Sequence, residues 1–171
     1  GNRKPPSAAY ATLSPIFHYD SVNELFVGGN FWDGRATGER LGNPAADQAL
    51  GPFLNPVEQN NASKQAVCEQ VETSKYAVLF EEVWGPGSLD CSLSGVDAMY
   101  DQIGLSIAAY ESSSEVNQFS SKYDAYQAGK ASLSAEEAWG LALFEGKAMC
   151  SACHPAGGLS PTGRGSARSV P

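Results

Sequence analysis

Cys150-Ser151-Ala152-Cys153-His154 sets two thiols three residues apart, with an imidazole directly behind the second. Two thiols so spaced on one turn reach both vinyl groups of a single porphyrin. The next residue then sets its ring under the iron. The pattern reads as covalent attachment of one haem c, with Cys150 and Cys153 as thioether donors and His154 as the proximal ligand of the haem iron. Two other chemistries use paired cysteines. A redox CxxC opens a helix that follows a strand, and no βαβ pattern is visible. A zinc site needs further Cys or His nearby, and the only other histidine is His18. Bacteria attach haem c outside the cytoplasm, so the motif implies a periplasmic or exported protein. In that compartment Cys68 and Cys91 read as a disulfide; the alternative is two buried free thiols.

The elements that must position this turn are helical. Ser134 followed by Glu137 is a capping box, and Ala138, Trp139, Leu141, Ala142 and Phe144 supply a buried side for a helix leading straight into Cys150. Gly140 lies one turn before Phe144, which predicts close approach of another helix there. Val96, Met99, Ile103, Ile107 and Tyr110 recur at three and four residues and predict one buried face over 96–110. Met99 on that face reads as core, with iron ligation as the alternative. Apolar positions from Ser63 to Trp84 predict a helix broken near Thr73-Ser74 and stopped by Gly85-Pro86-Gly87. Residues 1–62 are rich in Gly, Pro and Asn with little periodicity, so specific contacts or a cofactor must hold them. No strand pair and no repeat is visible. The expected fold class is all-α, with cytochrome c-like helical haem domains and long coil segments.

Composition bounds the partners. With 171 residues, 42% hydrophobic and 18% charged, the chain is a globular domain or two small ones. No apolar run approaches the ~20 residues of a membrane span. The opening Gly1–Pro6 has no apolar stretch behind it, which reads as a mature or internal piece. The net charge of -8 argues against nucleic acid and for a basic protein partner steered by charge.

A second constellation lies upstream: Phe31-Trp32-Asp33-Gly34-Arg35-Ala36, then Gln48, then Asn55-Pro56-Val57-Glu58, then Ile107-Ala108-Ala109-Tyr110-Glu111-Ser112. With CxxCH after them, these segments resemble the bacterial di-haem cytochrome c peroxidase family and its methylamine-utilisation (MauG-like) relatives, over most of the chain up to His154. The resemblance implies two c-type haem domains. One haem reacts with hydrogen peroxide. The other takes electrons from a small cytochrome c or cupredoxin donor. Homodimers are common among such proteins. It implies that residues 1–130 are the second half of the peroxidatic domain and 131–171 the start of the electron-receiving domain.

By the same resemblance Trp32 lies between the haems on the electron path. Glu58 is the distal-pocket acid and base for the peroxide protons, Gln48 is its companion, and His154 belongs to the electron-receiving haem. Each residue has a plainer reading. Asn55-Pro56-Val57-Glu58 is also a helix start, with Asn at the N-cap and Pro at the first position. Trp32 alone is a core aromatic. Asp33-Gly34-Arg35 alone is a turn with an ion pair, whereas Arg35 as a cofactor-binding residue would clamp a haem propionate. His18 is either a distal ligand or pH-sensitive gate, or a locally bonded loop residue. The sequence carries one CxxCH, and its methionines, Met99 and Met149, both precede His154. A second haem is therefore expected from the family rather than from these residues. A family calcium site uses an asparagine near the position of Lys4, which leaves calcium without that ligand. A mono-haem electron carrier and a MauG-like oxidase that modifies a partner protein are the competing functions.

Overall fold

The computed structural model describes residues 4–22, 24–152 and 154. Its chain divides into two compact units, Gly1–Asn117 and Gln118–Pro171. The first unit is built on three packed helices. Helix α1 (Pro44–Ala49) starts at Asn43, whose side chain accepts a hydrogen bond from the Ala45 amide, with Pro44 in the first turn. A second short helix, α2 (Gly51–Leu54), follows after the single residue Leu50. Helix α3 (Lys64–Glu72) is capped by Ser63, and α4 (Ala77–Trp84) ends at Gly85 with φ 99°. Helix α5 (Val96–Glu111) is the longest element.

Helix α5 packs on α1 and α3. Leu50, Val67, Cys68, Met99, Tyr100 and Ile103 form the main core, and Ala45, Ala46 and Ala108 form a second, tighter contact. Small residues bring α1 and α5 together. A Cβ added at Gly104 would stand 2.8 Å from Leu50 Cδ2 and 2.9 Å from the Ala46 carbonyl oxygen. Met99 is 1% exposed and belongs to the core, as its helical spacing predicts. Tyr110 departs from the predicted face, at 56% exposure. The buried tyrosine of α5 is instead Tyr100, near its start, whose hydroxyl donates to the Leu50 carbonyl at 2.7 Å. A tyrosine can be buried there because its one donor finds an acceptor.

The helix expected over 63–84 is broken where Thr73 and Ser74 turn their hydroxyls back onto the carbonyls of Glu69 and Val71. Cys68 on α3 and Cys91 before α5 have Cα atoms 5.6 Å apart, with their sulfurs at bonding distance. The expectation of no strand pair is corrected by an antiparallel hairpin of β1 (His18–Asp20) and β2 (Leu25–Val27), with Tyr19 opposite Phe26. Three-residue strands are too short for alternation to register in the sequence. The fold is otherwise helical.

The long first segment is held by specific contacts. The Asp47 carboxylate accepts from the Gly38 amide at 2.8 Å and from the Leu41 amide at 3.1 Å. The Tyr10 amide donates to the side-chain oxygen of buried Asn117 at 2.6 Å.

In the second unit, α6 (Lys122–Gln127) and α7 (Ala135–Glu145) each begin with a capping box, Ser121 with Asp124 and Ser134 with Glu137. The Lys122 ammonium also pairs with Glu137 at 2.5 Å, which ties the start of α7 to α6. That hydrogen bond is the main cause of the depressed Glu137 carboxyl pKa. The close helix approach expected at Gly140 is not found; among the described residues nothing lies within 4 Å of a Cβ built there.

Candidate haem site and its upstream partners

Helix α7 ends at Glu145, and the chain folds back on itself at once. The Ala148 amide donates to the Leu143 carbonyl at 2.9 Å, and the Met149 amide donates to the Gly146 carbonyl at 2.8 Å. Met149 takes a left-handed φ of 55° to make this turn. A single 3-10 turn, Cys150–Ala152, follows, and the His154 amide donates to the Cys150 carbonyl at 2.9 Å. Cys150 and His154 are both exposed on this one turn. Cys153 lies outside the described residues.

The surroundings fit a haem and fit the rival chemistries poorly. The turn follows the end of a helix, whereas a redox CxxC opens one. The described residues, which do not include Cys153, hold no group of three or more His, Cys, Asp or Glu, so they supply no further zinc ligands beside Cys150 and His154. Helix α7 carries Ala138, Trp139, Leu141, Ala142, Leu143 and Phe144, yet none of its residues is buried, and Trp139 is 68% exposed. Burial of apolar surface is worth about 25 cal/mol per Å2. A large apolar group bonded to the adjoining turn would cover part of such a face.

In the first unit the Trp32 segment forms a loop pinned at its base. The Asn30 amide donates to the Ala36 carbonyl at 2.9 Å, and the Ala36 amide donates back at 3.3 Å. Phe31 adopts φ 65°. Its ring lies beside Gly51 at the start of α2, where an added Cβ would be 3.4 Å away. Gly34 rests on the Phe17 ring, 3.0 Å from an added Cβ. Trp32, at the tip, is 96% exposed and takes no part in the core of this unit. Arg35 Nη1 donates to both Asp33 oxygens, at 2.9 and 2.8 Å, and its guanidinium stacks 3.8 Å from the centroid of Phe31. The arginine is thus engaged by its own loop. This hydrogen bond holds the Asp33 carboxyl below its ordinary pKa.

Glu58 sits on a turn, and the helix start expected at Asn55 stops after that one turn. The cap bonds do form: Asn55 accepts from the Val57 amide at 3.1 Å, and the Glu58 amide donates to the Asn55 carbonyl at 3.0 Å. Asn60, at φ 53°, then turns the chain out of helical geometry. The Asn55 side-chain amide donates to Glu58 Oε2 at 2.7 Å and so orients the exposed carboxylate. Reading Asn55 only as a cap misses this role. Gln48 is half-buried on α1, in the same continuous segment that leads through α2 to Glu58. Phe31 joins the Trp32 loop to that segment at Gly51. His18 is locally bonded, its Nδ1 donating to the Ile16 carbonyl at 2.8 Å.

An exposed cysteine–histidine turn after a capped apolar helix, on an otherwise helical chain, defines a c-type cytochrome class of protein. Residues 1–132 match the di-haem cytochrome c peroxidase family. The chain is 34% identical over 155 residues to methylamine utilization protein MauG of Paracoccus denitrificans, covering 90% of this chain and 37% of that protein. It is 30% identical over 133 residues to cytochrome c551 peroxidase of Pseudomonas aeruginosa, covering 77% of this chain and 34% of that protein. Among solved structures it is similar to the diheme peroxidase BthA from Burkholderia thailandensis, with a TM-score of 0.74 and 33% identity. That match covers 90% of this chain and 35% of BthA. The chain belongs to the di-haem cytochrome c peroxidase family, whose cofactor is haem c, and spans little more than a third of the length of these relatives.

Proposed function

We propose that this chain is the central part of a di-haem peroxidase that reduces hydrogen peroxide to water with electrons from a small cytochrome c or cupredoxin. Residues 1–130 contribute the second half of the peroxidatic domain, and 131–171 begin the electron-receiving domain. One haem c is bonded through Cys150 and Cys153, with His154 on the iron. A second haem is carried by sequence beyond these residues. When bound, haem supplies an iron that polarises the peroxide O–O bond and passes electrons.

The observation that carries the reading is Glu58. Its carboxylate is held outward by Asn55 on a turn whose neighbours Leu54 and Val57 are exposed and apolar. A carboxylate in a mixed apolar setting of this kind can take the proton from one peroxide oxygen and return it to the other. Gln48 is the companion of Glu58 in handling the peroxide, and Trp32 relays electrons between the haems. The protein works in the periplasm, where Cys68 and Cys91 stay oxidised. The net charge of -8 favours a basic donor. A homodimer is the expected assembly.

The test is peroxide turnover by the full-length di-haem protein. Glu58→Gln is expected to lower it about 100-fold or more, the usual contribution of a positioned acid or base, while haem content stays the same. Unchanged turnover would remove Glu58 from the mechanism. The MauG-like reading is favoured by the longer match to MauG, 155 residues against 133. It requires a tyrosine as axial ligand of one haem, which the axial-ligand spectrum distinguishes from methionine or histidine. A mono-haem carrier would show one haem per protein and no peroxide turnover.

A further inference from the structure

We infer that Asp97 and Asp101, one turn apart on α5, are positioning residues that tie down both ends of the segment from Arg40 to Lys64 and so hold Gln48 and Glu58 in place. The inference rests on the proposed role of Glu58 toward peroxide. Residues four apart on a helix share a face. Arg40, ahead of α1, pairs with Asp101. Lys64, the first residue of α3, pairs with Asp97 at 2.5 Å. Between the two ion pairs the Tyr100 hydroxyl donates to the Leu50 carbonyl at 2.7 Å, at the junction of α1 and α2. Lys64 Nζ stands 5.3 Å from the centre of the Tyr100 ring, and Phe53 of α2 meets that ring edge-on at 5.9 Å. The segment that carries both candidate residues thus begins, bends and ends on the same turn of α5.

Each tie passes to a candidate residue by a short path. At the first end Arg40 lies between Gly38 and Leu41, whose amides both donate to Asp47, the neighbour of Gln48. At the second end the Phe53 carbonyl accepts from the Asn61 backbone amide and from its side-chain amide, each at 2.9 Å. The Pro52 carbonyl accepts from the Gln59 amide at 3.2 Å. These bonds fasten the turn that carries Glu58 to α2, which rests on Tyr100 through Phe53. The two ion pairs also depend on each other. Carboxylates four apart on a helix repel, and here each is offset by a cation from the opposite end of the segment. The Asp97 carboxyl is held below its ordinary pKa first by the hydrogen bond from Lys64, and the Arg40 charge adds a smaller effect. Both pairs are partly exposed, and pairs of that kind add little to global stability. Their effect falls on where the segment sits.

The experiment uses the full-length protein with both haems and reads two quantities. One is hydrogen exchange over residues 51–61. The other is peroxide turnover with ascorbate as reductant, so that docking of a donor protein does not enter. Asp97→Asn and Asp101→Asn are each expected to speed exchange over 51–61 about threefold, the size of one exposed ion pair, with exchange over 103–108 of α5 unchanged. Each is expected to lower kcat about threefold or more through misplacement of the reacting groups. Lys64→Arg keeps the charge and is expected to keep both values, whereas Lys64→Met is expected to change both. In the Glu58→Gln background, Asp97→Asn is expected to lower turnover no further. An equal loss in that background, or faster exchange over 103–108 as well as 51–61, would make the carboxylates merely structural and overturn the inference. Unchanged exchange in both aspartate variants would overturn it as well. If Glu58→Gln alone leaves turnover unchanged, the Glu58 reading fails and the positioning role falls with it.

Discussion

The contact between α1 and α5 predicts an outcome that helix propensity alone would reverse. Gly→Ala inside a helix ordinarily stabilises by about 0.5–1 kcal/mol. At Gly104 the new methyl would stand 2.9 Å from the Ala46 carbonyl oxygen, with Leu50 Cδ2 at 2.8 Å and Cγ at 3.0 Å. An ordinary carbon contact is about 3.5 Å, so the gap must open by roughly half an ångström. Leu50 can adjust its rotamer in part. The Ala46 carbonyl cannot move without α1, which also carries buried Ala45 and half-buried Gln48. Overpacking of this kind costs about 1–3 kcal/mol. Against the propensity gain, Gly104→Ala should lose about 1 kcal/mol net, and Gly104→Val more. The assay is urea unfolding of the haem-loaded protein followed by far-ultraviolet circular dichroism. A midpoint unchanged or raised in Gly104→Ala would refute the close-approach reasoning.

Other outcomes follow from the same geometry. Ser134→Ala removes the cap of α7 and should cost about 1 kcal/mol, read as a lower thermal midpoint. Glu137 gives that cap a pH dependence. Its folded pKa is depressed, so its contribution is complete above the ordinary glutamate range and is lost as pH falls through the lower folded value. Acid titration should unwind α7 at lower pH in the parent protein than in Lys122→Met, and equal midpoints would contradict the pairing. Replacing Cys68 and Cys91 by alanine opens a loop of 23 residues and should cost about 3 kcal/mol, checked by denaturation with and without reductant. Asn55→Ala frees the Glu58 carboxylate from its 2.7 Å bond and should slow peroxide turnover, and loss of the cap to the Val57 amide should cost about 1 kcal/mol of stability, read by urea unfolding.

How far the sequence could be read depended on whether the signal was local. The Ser134–Glu137 box, the break at Thr73-Ser74 and the stop at Gly85 are local chemistry, and the structure has all three. The CxxCH spacing is likewise a property of one turn. Helix α1 was missed as a helix although Asn43-Pro44 is a capping signal, because six residues are too few for periodicity. Ser121–Asp124, the cap of α6, was overlooked for the same reason. The burial of Tyr100 depended on an acceptor 50 residues away, the Leu50 carbonyl, which spacing along one helix cannot reveal. At the candidate site, residue types were legible but partners were not. Arg35 could be paired with Asp33 or with a propionate on sequence grounds. Asn55 could be a cap or an orienting group, and in the structure it does both on a turn that Asn60 ends.

The central claim is that Cys150, Cys153 and His154 hold a covalent haem within a two-haem protein. Intact mass under denaturing conditions, followed by peptide mapping of the full-length protein, tests it most directly. The account predicts two haem masses on the polypeptide, one of them on the peptide containing Cys150 and His154 and absent from Cys150→Ala/Cys153→Ala. A peptide of unmodified mass in the mature protein would contradict it.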